Sequence, residues 1–165
     1  MPGYNLSQLK IMVVDDNPQM RDLIKSLLEV VGVSKVRMAA NSDMAWEILK
    51  NFNPDMVITD WAMPPTDGIE FVKRIRRDGQ SPNPYVPVLM LTGFTERYRV
   101  EIARDAGVNE FLAKPITAKQ LFERMHAIVE DQRMFVMTQS YVGPDRRRKQ
   151  DENYKGPERR KNRQS

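Results

Sequence analysis

Five residues of this chain are of types that together handle a phosphoryl group, and each follows a short apolar run. Asp15 and Asp16 come after KIMVV, Asp60 after MVIT, Thr92 closes VLMLT, and Lys114 follows a short segment around NEFLA. Three carboxylates gathered at one edge would repel one another when ionised, and a divalent cation relieves that repulsion. An oxygen-only donor set without His or Cys suits a hard ion, Mg²⁺ before zinc. Lys114 supplies a fixed positive charge for a phosphoryl group, and the Thr92 hydroxyl can donate to one of its oxygens. Such parts fit phosphoryl transfer, in which positioning and electrostatics do most of the work. A carboxylate can itself be the nucleophile, giving an aspartyl phosphate.

These residues need elements that bring them together, and the hydrophobic pattern supplies them. Lys10–Val14, Lys35–Ala39, Met56–Thr59, Val88–Thr92 and Asn109–Ala113 read as strands. Between them lie helical periods. One runs from Asn17-Pro18 through Met20, Leu23, Ile24, Leu27, Leu28 and Val31 to a stop at Gly32. Ser42 is the expected cap of the next, which carries Trp46, Ile48, Leu49 and Phe52 and breaks at Asn53-Pro54. Asp67-Gly68 begins a third with Ile69, Phe71, Val72 and Ile75; a fourth spans about Thr95–Ala106; the last covers Thr117–Asp131. Arg77–Pro87, with three prolines, reads as a loop. Strands and helices alternating in this way predict an α/β fold, a doubly wound five-stranded parallel sheet. The site of such a sheet lies at the carboxyl ends of its strands, where all five chemical residues fall.

Bulk properties narrow the classes. The chain has 165 residues, 41% of them hydrophobic, and no cysteine, so disulfides and thiolate metal sites are excluded. No apolar run approaches the ~18 residues of a membrane span, and MPGYNLSQLK lacks the layout of a signal peptide. The protein is expected to be cytoplasmic. The net charge of +4 is uneven: residues 141–165 carry +5 and residues 1–140 carry −1, so the basic character belongs to a tail.

The blocks IMVVDDNPQMRDLI, MVITDWAMPPTDGIEF, VPVLMLTGFT and GVNEFLAKPITAKQLF resemble the motif blocks of CheY-like receiver domains of response regulators, which have a flavodoxin-like fold. The similarity runs from about Gln8 to Asp131. It implies that Asp60 accepts the phosphoryl group from a histidine kinase or phosphotransfer protein. Asp15, Asp16, Asp60 and the backbone carbonyl of Ala62 would hold Mg²⁺, and Thr92 and Lys114 the phosphoryl oxygens. It implies a cis Lys114-Pro115 bond and a downstream partner on the face of helix 4, strand 5 and helix 5. Phe111 stands at the switch-aromatic position, where tyrosine is common, so coupling there rests on packing. Trp61, beside the phosphoacceptor, would report occupancy by fluorescence. Trp46 and His126 read as packing and bystander residues. An aspartyl phosphatase would want an acid at Ala62, and a flavin protein a phosphate loop where Asp15 and Asp16 stand, so a signalling receiver is expected and an enzyme is not. An adaptor that is never phosphorylated is disfavoured by the complete pocket.

Beyond the expected receiver, residues 8–131, the segment 132–165 reads as a mostly irregular, arginine-rich tail. Within it YVGPDRRR, from Tyr141 to Arg148, recurs as YKGPERRK, from Tyr154 to Lys161, thirteen residues on. Composition alone describes a solvated tail. The repeated tyrosine, Gly-Pro, acid and arginine pair ask for more. Arginine fits guanine's O6/N7 edge and grips phosphate, an acid accepts from guanine's opposite edge, and an aromatic ring stacks on a base. Tyr141, Asp145, Arg146 and Arg147, with Tyr154, Glu158, Arg159 and Arg160, therefore suit a ligand with two guanines and two phosphates, cyclic di-GMP. The doubled segment is similar to the arginine-rich tails of the Cle group of CheY-like proteins, which implies cyclic di-GMP binding and action at the flagellar motor switch. The competing use is an adaptor tail for a protein, nucleic acid or an anionic surface; DNA or RNA binding would want more basic excess and less acid inside the motif.

Overall fold

The computed structural model describes residues 6–63, 67–93, 97–130, 135–137 and 142–144, the backbone alone for 97–100 and the last two segments. A 3₁₀ turn at Leu6–Gln8 leads into β1 (Lys10–Val14), α1 (Pro18–Val30), β2 (Lys35–Ala39), α2 (Ser42–Phe52), β3 (Met56–Asp60), α3 (Gly68–Arg77), β4 (Val88–Thr92), α4 (Arg97–Ala106), β5 (Glu110–Ala113) and α5 (Ala118–Glu130). The five strands form one parallel sheet in the order β2-β1-β3-β4-β5. This is the doubly wound, flavodoxin-like arrangement expected. The order reverses at β1, so β1 and β3 flank the switch point where ligands of open α/β sheets bind.

Strand side chains alternate between the two faces. Met12 and Val14 enter one core with Val57, Val88, Met90 and the buried faces of α2 and α3. Ile11 and Val13 enter the other with Ile58, Leu89, Leu91 and residues of α1 and α5. Each fully buried side chain of this kind contributes about 1.5–3 kcal/mol. β3 and β4 are buried along their whole length, and edge strand β2 exposes Lys35 and Arg37. Among the described residues no helix is long and apolar enough to cross a membrane.

Local chemistry sets the helix ends. Asn17 Oδ1 accepts from the Gln19 and Met20 amides, with Pro18 at the first helical position. The cap of α2 is Asn41, not Ser42: its Oδ1 takes the Met44 amide at 2.9 Å, and Ser42 becomes the first helical residue. Both are good caps, and the amide side chain one residue earlier reaches the orphan N–H. Asn53 ends α2 in the left-handed region at φ 49°. Thr117 and Gln120 form a reciprocal capping box before α5, in which the Gln120 amide donates to Thr117 Oγ1 and the Thr117 amide donates to Gln120 Oε1.

Two features add detail to the expected plan. The tail contains an antiparallel pair, β6 (Phe135–Met137) and β7 (Val142–Pro144), and β7 lies beside α3. The proline-rich segment before β4 is an ordered turn rather than a plain connection. Asp78 and Asn83 bond the Gln80 and Tyr85 amides, and the Pro84 and Val86 carbonyls accept from the buried Arg76 guanidinium at 2.8 and 2.6 Å. Arg76 also donates to the Gly107 carbonyl and to Asn109 Oδ1, which in turn accepts the Val88 amide. One arginine thereby ties α3 to the entries of both β4 and β5.

Candidate phosphoacceptor site

Parallel pairing carries four strand ends to the same edge, and the acids arrive there by different routes. Asp15 follows the last paired residue of β1; its amide donates to the Ala39 carbonyl at 3.1 Å, which turns the side chain inward. It is 1% exposed, whereas Asp16, one residue on, is exposed. Asp60 is the last residue of β3 and 8% exposed. One carboxylate oxygen from each of these three residues lies within 4.8 Å of the others.

Lys114 reaches the group from the far side. Its amide donates to the Thr92 carbonyl, and the Lys114-Pro115 bond is cis, as expected. Its Nζ stands 3.2 Å from Asp60 Oδ1 and 4.0 Å from Asp15 Oδ2. The Trp61 amide donates to the same Asp60 Oδ1 at 2.9 Å, so both bonds fall on one oxygen and Oδ2 is the open one among the described residues.

Asp15 carries the electrostatic strain. Burial, chiefly, pushes its carboxyl up to about 6; the Asn17 amide bond and Lys114 oppose this, and the Asp60 and Asp16 charges add to it. Its Oδ2 is buried without a hydrogen-bond partner. A buried carboxylate oxygen facing two other carboxylates is a poor structural element and a good ligand for a hard cation. The all-oxygen donor set therefore fits Mg²⁺, with Asp15, Asp16 and Asp60 as the side chains that would hold it.

The remaining predicted residues sort by position. Thr92 ends β4, 5% exposed, in register with Ala113. Ala62 is exposed two residues after Asp60, beyond Trp61. Phe111 is half-buried against the α2–α3 core, and His126 stacks on Phe122 at 6.4 Å, away from the acids in the sequence and the sheet. The tail residues Tyr141, Asp145, Arg146, Arg147, Tyr154, Glu158, Arg159 and Arg160 lie outside the described residues.

Three further residues support the site in ways that no local sequence pattern carries. Arg21 Nη1 donates to the Asp15 carbonyl at 2.6 Å and holds the turn after β1. Thr59 Oγ1 donates to the Asp60 carbonyl at 3.1 Å from inside the core. Gly68 opens α3 with its amide on the Trp61 carbonyl at 2.7 Å, and a Cβ there would overlap the Asp60 carbonyl oxygen. In the sequence Asp67-Gly68 reads as a helix start; the close approach to Asp60 is a tertiary contact.

Comparisons with known proteins agree with this geometry. The response regulator receiver domain family matches residues 11–126. The chemotaxis protein CheY-3 of Vibrio cholerae is 38% identical over 122 residues, covering 74% of this chain and 92% of that protein. Chemotaxis protein CheY of Pseudomonas aeruginosa is 37% identical, covering 74% and 97%. Among solved structures, V. cholerae CheY4 superposes with a TM-score of 0.67 at 29% identity, covering 73% of this chain and 98% of that one. A receiver domain protein from Clostridium thermocellum gives 0.64 at 32% identity, covering 73% and 94%. With its fold, its acidic pocket and these matches in agreement, the chain belongs to the family of response regulator receiver domains.

Proposed function

We propose that this protein is a single-receiver response regulator of chemotaxis-type two-component signalling, acting in the cytoplasm, whose Asp60 is phosphorylated. The observation that carries the reading is the convergence of Asp15, Asp16 and Asp60 with Lys114, 3.2 Å from the acceptor carboxylate. Asp60 Oδ2 attacks the phosphorus of a phosphohistidine on a histidine kinase or phosphotransfer protein; the new P–O bond forms as the P–N bond breaks. Lys114 moves its charge onto the transferred oxygens, and the Thr92 hydroxyl donates to one of them. Asp15, Asp16, Asp60 and the Ala62 carbonyl would hold a Mg²⁺, which would supply charge neutralisation. Phe111 answers the change by packing, and the α4–β5–α5 face presents the outcome to a downstream protein such as a flagellar motor switch. The protein is a switch rather than an enzyme; it supports only its own phosphotransfer and dephosphorylation.

The receiver occupies residues 8–131. The tail, residues 132–165, binds cyclic di-GMP through its two copies of Y-x-G-P-acid-R-R and modulates the partner interaction. The doubled set of guanine- and phosphate-reading side chains supports this. Acetyl phosphate with Mg²⁺ should label the unaltered protein and leave Asp60→Asn unlabelled; equal labelling of both would refute the acceptor assignment. Calorimetry with cyclic di-GMP should give heat that Arg146→Ala and Arg159→Ala each reduce. Absence of heat with the unaltered protein would leave the tail as an adaptor for a protein, nucleic acid or anionic surface.

A further inference from the structure

The turn after β1 asks opposite things of two adjacent acids. Asp15 must point into the sheet edge, where it is 1% exposed. Asp16 must stay exposed while one of its carboxylate oxygens remains within 4.8 Å of those of Asp15 and Asp60. Asp15 is held at both ends of its backbone and by its side chain. Its amide donates to the Ala39 carbonyl at 3.1 Å, its Oδ1 accepts from the Asn17 amide at 2.9 Å, and its carbonyl accepts from Arg21 Nη1 at 2.6 Å.

The bond from Arg21 has a consequence the other two lack. The Asp15 carbonyl belongs to the rigid peptide plane that joins Asp15 to Asp16. Holding its oxygen orients that plane, and with it the position of Asp16 Cα and the direction in which the Asp16 side chain leaves. The Ala39 bond orients the plane on the other side of Asp15, and the Asn17 bond closes an Asx turn on the Asp15 side chain.

Nothing local calls for an arginine at this place. Arg21 lies near the start of α1, whose positive dipole end disfavours a cation, and no acidic residue of the first turn offsets it. Among the described residues its guanidinium bonds a backbone carbonyl and pairs with no carboxylate. Its charge also works against a second cation in the neighbouring acidic pocket. Position is the property left, and Asp15 Oδ2, buried without a hydrogen bond, is an atom whose aim depends on this turn.

We infer that Arg21 is a positioning residue for the cation site: its bond to the Asp15 carbonyl holds the turn that aims Asp15 inward and Asp16 outward, and so sets the affinity of the three carboxylates for a divalent cation. The inference rests on the reading of those carboxylates as a Mg²⁺ site. The sign of the effect separates geometry from charge. Loss of a nearby positive charge alone tightens cation binding; loss of the positioning bond weakens it.

The test uses the full chain and Arg21→Met, which keeps an apolar stem and good helix propensity while removing the donor. Mg²⁺ is titrated into each protein, with binding read from tryptophan emission and from the Mg²⁺-dependent rise in melting temperature. Arg21→Met should raise Kd about tenfold, the lower end of what loss of a residue orienting metal ligands typically costs. Arg21→Lys, which keeps a charged donor, should bind Mg²⁺ more tightly than Arg21→Met. The Mg²⁺ concentration for half-maximal labelling by acetyl phosphate should rise with Kd. A merely structural role would lower the urea midpoint and leave Kd unmoved. A Kd unchanged or lowered in Arg21→Met overturns the inference, as does an Arg21→Lys that binds no better than Arg21→Met. Should Arg21→Met not fold, Arg21→Ala takes its place under the same outcomes. If the unaltered chain shows no binding by either readout, the cation-site reading itself fails and the inference falls with it.

Discussion

Asp15 and Arg76 are the most deeply buried charged side chains among the described residues, 1% and 2% exposed, and they lie at opposite ends of the sheet. At the amino-terminal end, the Arg76 fork is matched to three backbone carbonyls and an amide oxygen at 2.6–3.1 Å. At the carboxyl end, Asp15 keeps one buried oxygen without a hydrogen bond, faces two more carboxylates, and has its carboxyl pushed up to about 6. The first arrangement is what a fold needs from a buried charge: every donor satisfied, with three segments tied together as a result. The second is what a binding site needs, a charge left short so that a ligand of opposite sign completes it. The contrast separates a buried charge that holds the molecule together from one that the molecule tolerates for function.

If the contrast is right, truncating the two groups should move stability in opposite directions. Arg76→Ala leaves four acceptors, at Val86, Gly107, Asn109 and the part-buried Pro84, short of a donor and opens a cavity, and should cost on the order of 3–5 kcal/mol by urea denaturation. A loss below about 1 kcal/mol would show that water replaces the guanidinium without penalty. Gly68→Ala tests the attachment of α3 to the acceptor. The added Cβ must displace the Asp60 carbonyl, costing about 1–3 kcal/mol and slowing acetyl phosphate labelling in a protein that still folds.

Asp15→Asn should stabilise the metal-free protein by about 1–2 kcal/mol at about pH 8 while weakening Mg²⁺ binding. The sign follows from linkage. The folded protein binds the Asp15 proton more tightly than the unfolded chain does. That contribution to stability is fully present below the usual value of 3.8 and is lost as pH rises through about 6. The unaltered protein in a chelator should therefore lose stability across that window, and Asp15→Asn should lose less. At the small end, Glu47→Ala breaks only the exposed pair with Lys50 and should change stability by under about 0.5 kcal/mol.

The same contrast explains what could be read from the sequence. The five sheet strands, within a residue at each end, were legible because central parallel strands are near-continuous apolar runs, as in IMVV and VLML. The acids were legible as a set because each follows such a run. Their inequality was not: Asp15 and Asp16 are adjacent and chemically identical, and only the turn after β1 decides that one is buried and the other exposed. Arg76 sits in the basic run KRIRR, which reads as a solvated helix face, and its acceptors come from segments eight to thirty-three residues away. Gly68 looked like a helix start because its second duty is a tertiary contact. The three-residue strands β6 and β7 are too short to carry a period, so the tail read as irregular.

The central claim is that the acid left unsatisfied at the carboxyl end belongs to a phosphoryl site on Asp60. A crystal structure of the full chain with Mg²⁺ and beryllofluoride tests it most directly. The beryllium should be bonded to an Asp60 carboxylate oxygen, its fluorides within hydrogen-bond reach of Lys114 Nζ and Thr92 Oγ1, and the cation should sit among the Asp15, Asp16 and Asp60 carboxylates. Beryllofluoride absent from Asp60 at saturating concentration, or a cation bound away from the three carboxylates, would contradict the account.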